Sequence, residues 1–485
     1  MRVRPRLLRR VLIVGLVGAV LAAGGLVVVA LIGDDGPDHP NAWDERVVDL
    51  VRFVERERGL DFEHPVHVDF LATKDFEDKV TTDEADLTDE EREDLEIGTQ
   101  LLSALGFVEP GTDLFEELNT LSAGNTAAFY DPDEQRVSVR GTSLTTDVRG
   151  TLVHELTHAL QDQHFDLSRY DDDEDRPSGV YSAWTALVEG DATRIENAWA
   201  QRLDEDDFAD YQRGAGDAAD EAGAAIADVP EILTALFSAP YALGEGLLLA
   251  LDGDGGNARI DEAFEDPPAT EEHLLDPWAF LDGEDPVDVT APSVPTGEDH
   301  RDTDDFGAVG WYLTLAERIE PGQALEAALG WGGDAAVLST KGGRACVRAT
   351  FAGDTGQDVD EMEAALRAWV AALPPEAAAV ERKGDRVTLR SCEPEDPAPV
   401  AGRSEEALTL AAFRVGLAAG LAQEGGSRRI AECVADGVIG RIGIDRLDVL
   451  EAAFADTSGS VPPAMIELLR PAFADCGLPD PFPSG

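Results

Sequence analysis

Hydrophobic and polar positions alternate along this chain in two periods, and the change of period marks its elements. Apolar residues at helical spacing predict a helix over Trp43–Arg58, and PVHVDFL, Pro65–Leu71, alternates as a strand does. The charged stretch Thr81–Glu96 reads as a solvated helix or loop. Two short β-prone runs, Ala127–Tyr130 and Arg136–Arg140, flank Asp131-Pro132-Asp133-Glu134 and predict a hairpin. Thr145 or Thr146 then caps a helix beginning near Asp147, the acidic run Tyr170–Asp175 forms a loop, and a long helix over Tyr181–Leu203 aligns Trp184, Val188, Ile195 and Trp199 on one stripe.

Further along, Asp207–Ala227 is rich in Ala, Asp and Gly and reads as a solvent-facing insertion. Glu231–Leu251 is apolar and helical in character, but Pro240, Gly244 and Gly246 predict a break. Gly310–Ala328 is helical. Strands are expected near Ala335–Thr340, Ala345–Phe351 and Arg386–Cys392, with a helix over Asp358–Ala372, and Ser404–Cys476 reads as a small all-helical unit.

The N-terminus departs from all of this. MRVRPRLLRR carries five arginines and no acid, and an uncharged apolar run follows from Val11 to Gly33. About twenty apolar residues suffice to cross a bilayer, and flanking arginines are held on the cytoplasmic side. The expected order is therefore a cytoplasmic basic tail over 1–10, a transmembrane signal anchor over 11–33 and a stalk over 34–42. A main region over 43–397 comes next, with a core over 60–290 and an α+β extension over 300–397, and a helical C-terminal unit over 398–485 ends the chain. A cleaved signal peptide is the rival, but its apolar core is about 7–15 residues long. The protein is thus expected to be single-pass, with its N-terminus inside and its main body extracytoplasmic.

Composition narrows the partners. Against 38 basic residues stand 98 acidic ones, a formal net charge of -60, so nucleic acid and anionic lipid surfaces are poor partners for the bulk of the protein, and no nucleic acid is expected to bind. Such a surface suits a saline milieu, where salt screens self-repulsion, or serves solubility alone. An apolar fraction of 43% provides for a packed core. Four cysteines, Cys346, Cys392, Cys433 and Cys476, lie in the C-terminal half, where an oxidising compartment can pair them. Chain order suggests Cys346 with Cys392 and Cys433 with Cys476, although four cysteines allow three connectivities.

The chemistry concentrates in Thr151–Leu167, TLVHELTHALQDQHFDL. His154-Glu155-Leu156-Thr157-His158 is HExxH. Residues four apart share a helix face, so both imidazoles can hold one zinc ion while Glu155 lies beside the reacting water. The third ligand has two candidates. His164 stands ten residues after His154, but that arrangement needs the chain to leave the helix at the seventh position, where this sequence has Gln161 instead of glycine. Glu189, in LVEGDA on the next helix, fits better: it completes a three-ligand set with an open fourth position, and Gly190 and Ala192 let helices approach closely. Glu196, seven residues on, is an alternative ligand or a residue supporting one from behind, a role also open to His164. Asp191 needs a hydrogen-bond partner, for which a ligand's imidazole is the expectation.

HExxH followed by WTALVEGDA resembles the gluzincin branch of zinc metallopeptidases. More closely, HELTHALQDQHFDL, LVEGDA, Pro240-Tyr241-Ala242-Leu243-Gly244, Asp266-Pro267-Pro268-Ala269-Thr270-Glu271 and Gly330-Trp331-Gly332-Gly333-Asp334 resemble a family of exported or membrane-anchored bacterial proteins, over roughly Trp43–Ala372. After Glu271 such proteins tend to read STEQILHPEKY, where this one has ATEEHLLDPWAF, with His273 nearby. The resemblance implies an α+β, mostly helical protein with a zincin-like domain: a small mixed sheet, the HExxH helix and the glutamate helix. It implies one zinc ion on His154, His158 and Glu189, a polypeptide substrate, and hydrolysis by a zinc-activated water with Glu155 as general base. Tyr241 and His273 are candidate donors to the oxyanion, and by analogy Arg136–Arg140 is the sheet edge that would pair with substrate. WGGD also reads as a plain turn from helix to strand. The alternative is a zincin-fold surface binding or scaffold protein that holds metal without cleaving, against which the intact Glu155 argues.

Overall fold

A computed structural model describes residues 38–170, 177–394, 402–442 and 463–480. The expected basic tail, the membrane anchor, residues 34–37 of the stalk and the acidic run after Tyr170 lie outside the described residues. The chain is α+β and mostly helical, with two small sheets among the described residues. The described residues divide into two compact units: one holds those up to Thr99, within Pro110–Gly244 and within Asp261–Pro267, the other those within Gln100–Glu109, within Glu245–Ile260 and from Pro268 onward.

In the first unit, α1 (Val48–Arg58) buries Leu50, Val51, Phe53 and Val54 and stops at Gly59, whose left-handed φ of 78° lets its amide cap Glu55. β1 (His67–Leu71) and α2 (Thr73–Val80) follow, then α3 (Asp89–Leu105), whose residues from Gln100 belong to the second unit, and α4 (Leu114–Asn125). β2 (Ala128–Asp131) and β3 (Arg136–Arg140) form the expected hairpin, its turn held by Asp131 Oδ1, which accepts from the amides of Asp133 and Glu134. The sheet order is β1-β3-β2, with β1 parallel and β2 antiparallel to β3. β3 is therefore the central strand, paired on both sides. The expectation that Arg136–Arg140 forms a free edge is corrected: β1 occupies that edge, with His67 opposite Arg136 and Leu71 opposite Arg140.

α5 (Thr146–Phe165) lies against this sheet with Leu152, Val153, Leu156, Ala159 and Leu160 wholly buried, and α6 (Ser178–Ala200) packs against α5. The stripe Trp184, Val188, Ile195 and Trp199 is buried as its spacing predicts. α7 (Glu205–Ala225) occupies the segment expected as an insertion. It faces solvent, with no buried residue, yet it is a regular helix: Asp204 caps it, three acids complement the dipole of its first turn, and alanine favours the conformation.

α8 (Glu231–Gly255) is a second correction. It runs unbroken with Pro240 inside it, because Leu236, Phe237, Ala239 and Leu243 around the proline are buried and packing offsets the lost hydrogen bond. Among the described residues it alone is long and apolar enough to cross a membrane, and 67% of its apolar window is buried, as in a core helix. α9 (Asn257–Glu265) closes this part of the chain.

The second unit starts its own elements with α10 (Glu272–Leu275) and α11 (Pro277–Asp282), capped by Asp276. Its sheet comprises β4 (Asp299–Asp304), β5 (Trp331–Lys341), β6 (Arg344–Gly353), β7 (Ala378–Lys383) and β8 (Arg386–Cys392), in the order β4-β5-β6-β8-β7 and antiparallel throughout. α12 (Ala308–Ala316) and α13 (Pro321–Ala328) precede β5, and α14 (Gly356–Ala371), opened by a Thr355–Asp358 capping box, lies between β6 and β7. β5, β6, β8 and α14 are the expected elements. β4 and β7 carry too few apolar positions to be read from alternation.

α15 (Ser404–Gln423), α16 (Arg428–Ile439) and α17 (Pro463–Asp475) are the expected C-terminal helices. They belong to the same compact unit as the five-stranded sheet: Tyr312 donates to the Ala407 carbonyl, and Arg414 to that of Leu275. Both cysteine pairs stand at disulfide distance in the sequential connectivity. Cys346 and Cys392 are register partners on β6 and β8, and Cys433–Cys476 links α16 to the end of α17.

Candidate metal centre

The HExxH pattern lies wholly within α5, so His154 and His158 project from one face one turn apart, their ring centroids 4.7 Å from each other. α6 brings Glu189 to meet them. Its Oε2 stands 3.1 Å from His154 Nε2 and 3.4 Å from His158 Nε2, and Glu189 is wholly buried. Ligand atoms held about 2.0–2.2 Å from a four-coordinate zinc stand roughly 3.3 Å apart. The three side chains thus have the spacing and the N,N,O donors that could hold one metal ion.

Electrostatics agree. Burial opposes a charge on Glu189, but His158 and His154 outweigh it and bring its carboxyl down to about 2. Burial likewise disfavours a charged His154 or His158, yet the carboxylates of Glu189 and Glu196 beside His154, and of Glu189 beside His158, push both pKa values up. The pocket demands positive charge, which protons or one dication can supply. His158 Nε2 and Glu189 Oε1 are buried with no hydrogen-bond partner, as coordinating atoms are once other donors are excluded.

The atoms behind the ligands orient them. Gln161 Oε1 lies 2.9 Å from His158 Nδ1, so Nδ1 carries the proton and Nε2 turns its lone pair inward. Glu196 Oε2 lies 3.4 Å from His154 Nδ1 and does the same there, while its other oxygen accepts from the Tyr211 hydroxyl at 3.0 Å. Glu196 therefore stands behind His154. Asp191 does not bond an imidazole, contrary to expectation. It accepts from Gln161 Nε2 at 3.1 Å, Arg58 Nε at 2.7 Å and Arg194 at 2.8 Å. Arg58, wholly buried, also pairs with Asp261 at 2.6 Å. Gln161, Arg58 and Tyr211 are the residues that sequence reasoning missed. A glutamine three residues after the second histidine of HExxH, on the same helix face, was the available signal for the first.

Glu155 lies on the same helix turn, 4% exposed, its Oε2 buried without a partner. Burial pushes its pKa up, against the opposing pull of the two histidines. β2 is fastened to this helix where Tyr130 donates to Asp162 Oδ2 at 2.8 Å. Tyr241 on α8 is brought alongside, its ring 6.1 Å from that of His154. Burial and then the carboxylates of Glu189 and Glu155 hold its phenol protonated. Gly190 faces α8, where a Cβ on Gly244 would lie 3.1 Å from its Cα and 2.1 Å from the Ala186 carbonyl oxygen, so the small pair serves the α6–α8 contact.

Two expected residues are placed otherwise. His164 is still helical, because α5 continues to Phe165 and turns only at Asp166, whose φ is 56°; its Nε2 bonds the Asp61 carbonyl at 2.9 Å. It therefore neither joins nor backs the ligands. His273 belongs to the second unit, where its Nε2 faces the Glu284 carbonyl at 3.3 Å and burial lowers its pKa to about 4. No family model matches the chain, and neither the curated proteins nor the solved structures compared with it contain a match.

Proposed function

We propose that the protein is a zinc-dependent metallopeptidase of the gluzincin type, hydrolysing peptide bonds with Glu155 as general base. The observation that carries this reading is the convergence of His154 Nε2, His158 Nε2 and Glu189 Oε2 beside the buried Glu155 carboxylate, whose Oε2 has no hydrogen-bond partner. His154, His158 and Glu189 would hold one zinc ion. When bound, zinc supplies a Lewis acid that polarises a carbonyl and acidifies water.

The protein's residues supply the rest. Glu155, with its pKa raised by burial, accepts a proton from the attacking water and returns it to the amine nitrogen as the C–N bond breaks. Tyr241, held protonated, is placed to donate to the oxygen that gains negative charge. Gln161 and Glu196 hold a proton on Nδ1 of each imidazole, so that the neutral ring presents its Nε2 lone pair to a metal. The substrate is a polypeptide. The apolar run 11–33 anchors the chain in the membrane with this region outside, and two cysteine pairs at disulfide distance suit that compartment.

The test is the full-length protein against Glu155→Gln, both zinc-loaded, on a peptide library. The wild type should cleave, and the variant should retain zinc while losing at least about 10²-fold in rate. If neither cleaves while both hold zinc, the peptidase reading falls and a metal-holding scaffold remains.

A further inference from the structure

The second unit carries its own gathering of acids. Glu272 opens α10, Asp276 caps α11, Glu284 follows the left-handed Gly283, Asp354 sits in the turn from β6 into α14, and Asp358 lies in the first turn of α14. Two of the five already have partners. Asp276 Oδ1 accepts from the Trp278 amide at 3.0 Å, with Arg428 at 3.8 Å, and Asp358 closes the capping box with Thr355. Glu272, Glu284 and Asp354 each present one carboxylate oxygen, all within 4.8 Å of one another. Among the described residues, no arginine, lysine or hydrogen-bond donor reaches these three carboxylates.

Exposed acids alone would mean little on so acidic a surface. Glu272 is different: it is 4% exposed, its carboxylate points into the cluster, and nothing neutralises it there. A buried carboxylate without a counter-charge is strongly disfavoured. Burial, then Asp354 and Glu284, push its pKa up to about 9, and burial followed by Glu284 raises that of Asp354 to about 6. The neighbouring turn is built to approach these acids closely. A Cβ on Gly332 would lie 2.5 Å from Asp354 Oδ1, one on Gly330 would lie 2.3 Å from Asp358 Cγ, and the Asp354 amide donates to the Gly330 carbonyl at 3.2 Å. The WGGD segment is therefore the platform on which the β6–α14 turn rests.

We propose that Glu272, Glu284 and Asp354 form a binding site for a hard divalent cation, calcium, that ties the α10–α11 segment to the turn at the end of β6. The donors are all oxygen, with no imidazole or thiolate to favour zinc. Their spread suits oxygens standing about 2.3–2.6 Å from one ion, and the exposed side of the cluster leaves room for the waters that complete a coordination number of 6–8. Glu284 and Asp354 sit on turns, which fits calcium's tolerant geometry better than the near-ideal octahedron magnesium demands.

The test uses the full-length protein, stripped with chelator and reloaded with zinc. Calcium chloride is titrated by calorimetry and by thermal unfolding, with magnesium and potassium chloride at matched ionic strength. One calcium site with a Kd on the order of 10⁻⁴ M is expected, with Tm rising by about 5–10 °C at about 10 mM calcium. Glu272→Gln and Asp354→Asn should each weaken calcium binding at least about tenfold. Asp354 is exposed, so its variant decides the matter if Glu272→Gln does not fold. The absence of a calcium response above the potassium control, an equal response to magnesium, or wild-type calcium affinity in Asp354→Asn would each overturn the proposal.

Discussion

Gln161 Oε1 stands 2.9 Å from Nδ1 of His158, and the same side-chain amide donates 3.1 Å to the Val188 carbonyl and 3.1 Å to Asp191. An amide oxygen only accepts, so this contact fixes the His158 tautomer that leaves Nε2 available for metal. Because Gln161 is wholly buried and held by α6, it also ties the orientation of His158 to the helix that carries Glu189. Gln161→Leu should therefore weaken zinc binding about 10–100-fold in competition with a chromophoric chelator, with helical content preserved. Unchanged zinc affinity would show that something other than Gln161 sets the ring.

The choice of third ligand makes a paired prediction. Glu189→Ala removes the oxygen that stands 3.1 Å and 3.4 Å from the two imidazoles and should yield protein purified without stoichiometric zinc. His164→Ala loses only a bond to the Asp61 carbonyl and should keep its zinc. Metal analysis of both purified variants decides it, and the reverse pattern would move the third ligand to His164.

Arg58 and Asp191 form a wholly buried ion pair at 2.7 Å, 133 residues apart in sequence. Such a pair adds little stability over apolar residues of the same volume, but breaking it is costly because one charge stays buried. Arg58→Met should destabilise the protein by about 3–5 kcal/mol in denaturant unfolding. Asp191 keeps Gln161 and Arg194 as partners, so zinc affinity should fall less than in Gln161→Leu. A loss under about 1 kcal/mol would mean that water replaces the guanidinium in this position.

What could be read from the sequence divides along the range of the interactions. HExxH was legible because spacing within one helix is local, and Glu189 because LVEGDA sets a carboxylate on the next helix beside small residues that allow two helices to approach closely. Gln161 was noticed only as the residue that is not glycine; its role depends on Val188 and Asp191, which another helix supplies. Arg58 looked like an ordinary basic residue in the last turn of a helix, and only tertiary structure brings it to Asp191 and Asp261. Strand order is likewise non-local. Nothing in RVSVR announces that HVDFL pairs in parallel along its other side. Pro240 misled for the converse reason, since local propensity predicts a break that burial of its neighbours overrides.

Two glycines inside helices should respond to alanine in opposite ways. At Gly244 a Cβ would lie 2.1 Å from the Ala186 carbonyl oxygen, a backbone atom of α6 that cannot swing aside. Gly244→Ala must push α6 away from α8, and α6 carries Glu189 one turn from the contact. A loss of about 1–3 kcal/mol or more is expected, together with weaker zinc binding. At Gly416, in α15, a Cβ would meet nothing within 4 Å. Gly416→Ala should stabilise its helix by about 0.5–1 kcal/mol through backbone entropy and leave zinc affinity unchanged. Thermal unfolding and chelator competition on the two variants separate these effects. If Gly244→Ala binds zinc as tightly as the wild type, the position of Glu189 does not depend on the close approach of α6 and α8.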